Sequence, residues 1–229
     1  MRTWQTIRAP ALDRHVHMKP YAALVLSGGY EEAGDQGRFR VNAGDVIFHG
    51  QFEAHLDRFS DTGAAVLNLP LPADYSCTPG VARLADPDII ARVAERNWRD
   101  AVDLLFSLAI SRTLQPADWP DELAGALMRN PSLKLSQWGE ANGIAAWTVS
   151  RGFGLVFGVS PETFRARIRA HHALNRIHAA QAPLASIAAE LGFADQSHMT
   201  RSVKQLTGIA PRAWRLAANG FKTRRKPDV

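Results

Sequence analysis

A chain of 229 residues with 46% apolar side chains is long enough to bury two cores. Nothing near Met1 has the apolar core and small-residue cleavage site of a signal peptide, and no apolar run is long enough to span a bilayer. A cytoplasmic protein with no membrane partner is therefore expected. The single cysteine, Cys77, excludes an internal disulfide and any CxxC zinc or redox motif, leaving a small packing residue as its expected role.

The net charge of +5 is unevenly placed. Residues 1–115 hold 12 Lys/Arg against 14 Asp/Glu, whereas residues 116–229 hold 15 against 8. A basic half suits contact with a polyanion.

From the N-terminus, short apolar runs over Ala22–Ser27, Arg38–Val41, Asp45–His49 and Ala64–Leu69 are separated by Gly28–Gly29, Gly34–Asp35, Gly37 and Ala43–Gly44. This punctuation predicts a small antiparallel barrel or sandwich. From Asp86 the apolar residues recur at helical spacing, as in Ile89, Ile90 and Val93, then Trp98, Val102, Leu105, Phe106 and Ala109. The stripe over Asn97–Ser111 reads as one helix, packed on its own barrel or also paired with a second copy of the chain. Pro116 and Pro120 precede a further helix over Asp121–Arg129. The fold class expected is α+β, an antiparallel β-barrel followed by an all-α half.

The last hundred residues repeat. Arg151, Gly158, Pro161, Phe164 and Arg165 are matched 50 positions later by Arg201, Gly208, Pro211, Trp214 and Arg215. In the first copy a helix through Trp138–Asn142 should end at Gly143, and in the second Ile187–Leu191 should end at Gly192, glycine being suited to the left-handed backbone of a tight interhelical turn. Gly139 and Ala188 are small residues where another helix must cross. Val149 and Phe153, or Met199 and Val203, supply the buried face of the helix that follows. Helix, glycine turn, helix describes a helix-turn-helix, whose second helix enters the major groove of double-stranded DNA. Between the copies Ser160 and Pro161 suit the start of one long helix over Pro161–His178. That helix would hold two recognition helices in successive groove segments, about 34 Å apart.

These residues resemble the AraC/XylS family of bacterial regulators over about residues 120–217. The second copy carries the stronger likeness: Ile187-Ala188-Ala189-Glu190-Leu191-Gly192-Phe193, then Ser197, Arg201, Lys204, Gly208, Pro211, Trp214 and Arg215. The resemblance implies a sequence-specific transcription regulator, not an enzyme, with DNA contacts at Trp147, Ser150 and Arg151 on the first recognition helix and Ser197, His198 and Arg201 on the second. The chemistry agrees for the arginines, which can bond guanine O6 and N7 in bidentate fashion, phosphate contact being the alternative. For Trp147 the alternative is helix packing. The first copy departs from the family pattern: Gly152 and Gly154 flank Phe153 inside the helix, each costing about 1 kcal/mol relative to alanine, and Gly154 replaces the usual basic residue.

The N-terminal half resembles the cupin-like sensory domains of the same family over about residues 10–75, through His15-Val16-His17, Leu26-Ser27-Gly28, and Gly44-Asp45-Val46-Ile47-Phe48-His49 followed by His55. Two histidines two apart on a strand point to one face, and a third from a later strand can meet them, which is how imidazoles converge on a divalent metal. His15, His17 and His55, with His49 as a fourth, are thus candidates for a metal or effector site. The glutamate of metal-binding cupins falls here near Tyr21, and Glu31 and Glu32 lie further along. A metal-free pocket for a small-molecule effector and plain structural histidines are the readings set against a metal site. The alternative function is a metal-dependent cupin enzyme fused to a DNA-binding domain.

The domain organisation expected is a cupin-like sensory domain over 1–80, a helical dimerisation or linker segment over 81–115, a double helix-turn-helix domain over 116–218 and a basic tail over 219–229. The partners expected are double-stranded DNA, RNA polymerase, a small-molecule effector and a second copy of the chain.

Overall fold

The computed structural model describes residues 4–8, 10–72, 80–113, 115–179 and 182–216. Cys77 and the basic tail lie outside the described residues. Among the described residues no helix is long and apolar enough to cross a membrane. The chain divides into two compact units, Met1–Glu122 with Ser150–Val159, and Leu123–Val149 with Ser160–Val229.

Among the described residues the first unit is built on eight strands: β1 (Trp4–Ile7), β2 (Ala11–Val16), β3 (Tyr21–Gly34), β4 (Gly37–Asn42), β5 (Asp45–His49), β6 (Ala54–Pro70), β7 (Gly80–Arg83) and β8 (Ile110–Arg112). All pairings are antiparallel, in the order β1-β6-β3-β5-β7-β8, with β2 also on β6 and β4 on β3. The hydrogen-bonded path is open. Among the described residues the expected barrel does not close, because the path ends in two strands of four and three residues that pair with the sheet along one side only.

Two strand boundaries also differ from expectation. Gly28–Gly29 does not end a strand, because β3 continues to Gly34 through register shifts beside Val25 and Gly28. Gly28 has φ +69°, and a Cβ there would lie 2.0 Å from the Gly63 carbonyl oxygen, so these glycines permit a bulge where two backbones touch. Strand β6 likewise begins at Ala54, ten residues before the expected Ala64, and its first half pairs with β2 and with the far end of β3.

Helices α1 (Pro87–Arg96) and α2 (Trp98–Leu108) start on side-chain caps, Asp86 accepting from the Asp88 amide and Asn97 from the Arg99 amide, each at 3.0 Å. Their Ile90, Ala91, Ala101, Val102 and Leu105 pack on Ala22, Leu24, Leu67 and Leu69 of the sheet. Tyr21, Ala23, Val25, Ile47 and Val66 form a second core on the opposite face. Both faces of β3 are therefore covered, which is why Tyr21–Leu26 reads as an unbroken apolar run. The helix expected through Ser111 ends at Leu108. Residues 110–112 turn instead into β8, where Arg112 reaches the buried carboxylate of Asp45 at 2.6 Å, alongside Arg83 of β7 at 2.9 Å.

The remaining helices are α3 (Trp119–Arg129), α4 (Leu135–Ala141), α5 (Ala146–Phe157), α6 (Pro161–Ala179), α7 (Leu184–Glu190) and α8 (Gln196–Thr207). The 50-residue repeat is visible in the backbone: Gly143 and Gly192 take φ +66° and +70° in the turns after α4 and α7, and Gly158 and Gly208 take φ +69° and +80° at the ends of α5 and α8. Helix α6 begins as expected, with the Ser160 hydroxyl accepting from the Thr163 amide at 3.2 Å. Three of its arginines bond to backbone carbonyls and to a carboxylate: Arg165 to Leu133, Arg169 to Pro131 and Gly192, and Arg176 to Glu190 at 2.7 Å. These charges tie the turns before α4 and after α7 to one long helix.

The two glycines inside α5 have different reasons to be there. A Cβ on Gly152 would stand 2.5 Å from the Trp119 ring, whereas one on Gly154 would meet nothing closer than 3.9 Å. Gly154→Ala is therefore expected to gain up to about 1 kcal/mol from helix propensity, while Gly152→Ala sets the same gain against an overpacking cost of about 1–3 kcal/mol. Urea unfolding midpoints should rank Gly154→Ala above the parent and Gly152→Ala below Gly154→Ala. Equal stabilisation by both would show that Trp119 does not fill the space over Gly152.

Candidate nucleic-acid interface and inner-face histidine cluster

Helix α5 is held by Val149, Phe153 and Phe157, all buried, and α8 by Met199, Val203 and Leu206. These positions recur every three or four residues, so the opposite face of each helix is left outward. On α5 that face carries Trp147, Ser150 and Arg151, all exposed, and Trp147 is 70% exposed. Packing therefore does not explain the tryptophan. On α8 Ser197 and Arg201 are exposed. His198 differs, being half-buried with its ring edge-on to Phe193 at 5.3 Å. Its amide is also taken, donating to the Asp195 carboxylate that caps α8 at 2.6 Å. Among the described residues neither Arg151 nor Arg201 makes an ion pair or hydrogen bond, so both guanidinium groups are uncommitted. The small-residue crossing is equally specific: a Cβ on Gly139 would lie 2.8 Å from the Ile144 carbonyl oxygen.

The histidines gather on the inner face of the sheet. His15 on β2 stands in register with His55 on β6, and their rings lie 4.4 Å apart. His17 completes a trio, 4.8 Å from His15 and 5.1 Å from His55 between ring centroids. The Nδ1 of His55 lies 3.0 Å from the Asp57 carboxylate and 3.2 Å from that of Glu32, and its Nε2 lies 3.1 Å from the Tyr21 hydroxyl. His49 joins from behind, with Nε2 3.5 Å from Glu32, and both are almost wholly buried. The two groups share only His55: His15, His17 and His55 bring ligating atoms within 4.8 Å of one another, and so do Glu32, His49 and His55. A cavity of about 60 Å³ opens beside the first group, lined by His15, His17, Tyr21, Tyr30, His55 and Asp57 among others.

Electrostatics separate these rings. Burial, with His55 and His15 nearby, pulls the pKa of His17 down to about 4. Burial and the neighbouring imidazoles hold His49 well below its ordinary value. For His55 burial also opposes charge, but Glu32 and Asp57 outweigh it and push the pKa up to about 10. Burial raises Glu32, against the pull of His55.

Residues 138–217 match the family model described as a helix-turn-helix domain. This part of the chain is a helix-turn-helix domain. Among solved structures, ToxT from Vibrio cholerae with a bound unsaturated fatty acid is 12% identical over 90% of each chain, with a TM-score of 0.44. A probable AraC family transcriptional regulator from Rhodopseudomonas palustris CGA009 is 22% identical over 42% of this chain and 93% of its own, with a TM-score of 0.39. The C-terminal domain of AraT, a response regulator from Geobacillus stearothermophilus, is 19% identical over 46% of this chain and 88% of its own, with a TM-score of 0.41. No curated protein matches the chain.

The helix-turn-helix domain carries each of the six residues expected to touch DNA, five of them exposed and His198 half-buried. On the sheet, sequence reasoning missed Glu32 and Asp57 as partners of the histidines. Glu32 stands opposite Asp57 in the β3–β6 ladder and Gly34 opposite His55, so a residue that looked too distant along the chain comes within reach of both His49 and His55. Tyr21, at the position where a glutamate was sought, supplies a hydroxyl to His55 instead.

The outward placement of Trp147 has a direct test in stability. Trp147→Ala is expected to change the unfolding free energy by less than about 0.5 kcal/mol, as for ordinary surface substitutions. Phe153→Ala, on the buried face of the same helix, should cost about 3–5 kcal/mol. Comparable losses in urea unfolding would place Trp147 in the core.

Proposed function

We propose that this protein is a sequence-specific DNA-binding transcription regulator with two readers, α4–α5 and α7–α8, and a sensory N-terminal sheet domain. The observation that carries this reading is the pair of outward helix faces, each bearing an uncommitted arginine opposite a fully packed side. Arg151 and Arg201 would bond guanine edges, with Ser150, Ser197 and His198 as shorter polar contacts and Trp147 against a thymine methyl or a sugar. His198, whose ring leans on Phe193, serves in this reading mainly to hold the start of α8.

The sensing role is supported by how β2 and β6 use their two faces. Adjacent residues on a strand point to opposite sides. His15 and His55 face the cavity, while Arg14, next to His15, and Arg58, three residues after His55 and so on the other face, reach the end of α5. Arg14 donates to the Phe157 carbonyl at 2.8 Å, and Arg58 to those of Leu155 at 2.6 Å and Val156 at 3.2 Å. Cations at the carbonyl end of a helix are favourably placed. A ligand that shifts either strand therefore alters the hold on α5, which is the linkage a sensor requires. In this reading the partners are double-stranded DNA, RNA polymerase, the ligand of the His15, His17, His55 and His49 cluster, and a second copy of the chain joined through residues 81–115, where Leu108 and Ile110 are exposed.

The test is selection of duplex sites from a random pool by the full chain at stated salt, repeated with Arg151→Ala and Arg201→Ala. Each variant should lose base preference in one half of a bipartite motif, at a cost of about 1–3 kcal/mol of discrimination. Recovery of the same complete motif, at unchanged affinity, by both variants would remove them as readers.

A further inference from the structure

We propose that His15, His17 and His55 bind one divalent transition-metal ion, zinc being the representative case, through their three Nε2 atoms. The inference rests on the reading of this pocket as the sensing site and names the class of ligand it takes.

Three observations converge on it. The first is the state of the rings. The Nδ1 of His15 lies 2.8 Å from the Asp13 carbonyl, an oxygen that only accepts, so this nitrogen carries the hydrogen and Nε2 offers a lone pair. Asp57 fixes the Nδ1 hydrogen of His55 in the same way at 3.0 Å, so that its Nε2, which lies 3.1 Å from the Tyr21 hydroxyl, exchanges that hydrogen bond for the metal. A metal-bound histidine characteristically has its second nitrogen donating to a carbonyl or carboxylate. The Nε2 of His17 is buried and has no hydrogen-bond partner, which is costly unless something else fills its lone pair.

The second observation is distance. One ring nitrogen of each histidine in the trio lies within 4.8 Å of the others. Tetrahedral zinc with bonds of about 2.0–2.1 Å holds its nitrogens about 3.4 Å apart, a closure of up to about 1.4 Å that χ rotations of two half-exposed rings can supply. Three imidazoles are a ligand set suited to zinc, iron, nickel or copper and poorly suited to magnesium or calcium.

The third is size. The cavity of about 60 Å³ has room for an ion and its water, whereas pockets for organic effectors usually span about 300–1,000 Å³. The cavity provides the open coordination position, and half-exposed His15 and His17 give access from solvent. The neighbouring trio of Glu32, His49 and His55 is the weaker site, because all three are buried and the His55 nitrogen facing Glu32 is the one held by Asp57.

The experiment uses the full chain, freed of metal by a chelator and titrated with zinc by calorimetry and with cobalt(II) by visible absorption. The expected result is one equivalent bound, with the ligand-field bands of four-coordinate cobalt. His15→Ala and His17→Ala should each weaken zinc binding by more than about a hundredfold, beyond the 10–100-fold loss typical of an outer-shell change such as Asp57→Asn. Unaltered thermal unfolding of His15→Ala in chelator will show that the variant folds. Absence of stoichiometric zinc and cobalt binding by the parent chain overturns the proposal, as does binding that survives both His15→Ala and His17→Ala. Failure here, with DNA selection intact, removes the metal and leaves the regulator. Metal binding without DNA selection does the reverse.

Discussion

Strand β6 is held by hydrogen-bond ladders to β2 on one side and to β3 on the other, and its register against both decides which side chains meet. A slip of one residue would exchange every inward and outward side chain. In the register observed, His55 and Asp57 meet His15, Tyr21 and Glu32 on the inner face, and Arg58 is left outside with Arg14. Such a polar cluster inside a sheet is stable only if its members satisfy one another. Asp57, Glu32 and Tyr21 largely do this for His55.

The helices show a different economy, in which local geometry suffices. Glycine at φ near +70° closes the turns after α4 and α7 without side-chain strain. Gly139 and buried Ala188 allow close crossing, and the apolar stripes of α5 and α8 turn the remaining faces outward. Function in this account is what remains after packing is complete: exposed Trp147, Ser150, Arg151, Ser197 and Arg201 contribute nothing visible to the core. Arg165, Arg169 and Arg176 look equally suited to DNA in the sequence, yet their guanidinium groups bond to carbonyls and a carboxylate within the helical unit.

What was legible in the sequence follows this division. The glycine turns, the buried faces, the Ser160 cap and the long α6 depend on neighbours a few residues apart, and they appear where the periodicity puts them. The sheet was less legible because its partners are far apart in the chain. Gly28 and Gly29 read as a strand end but occupy bulges within β3, and Ile110–Arg112 read as helix but pair with β7 beneath Asp45. Glu32 is the clearest case: nothing within ten residues of it points to His55, and only the β3–β6 register brings them to 3.2 Å. Gly152 read as a helix defect, whereas it makes room for Trp119, a residue more than thirty positions earlier.

In the proposed function α5 and α8 read one duplex together. Hydroxyl-radical footprinting of the full chain on its selected site tests this most directly. Two protected segments are expected on one face of the duplex, centred about one helical turn apart, roughly 10 base pairs, with Arg151→Ala and Arg201→Ala each opening a different one. A single protected segment, or protection spread evenly along the duplex and lost with modest salt, would contradict it.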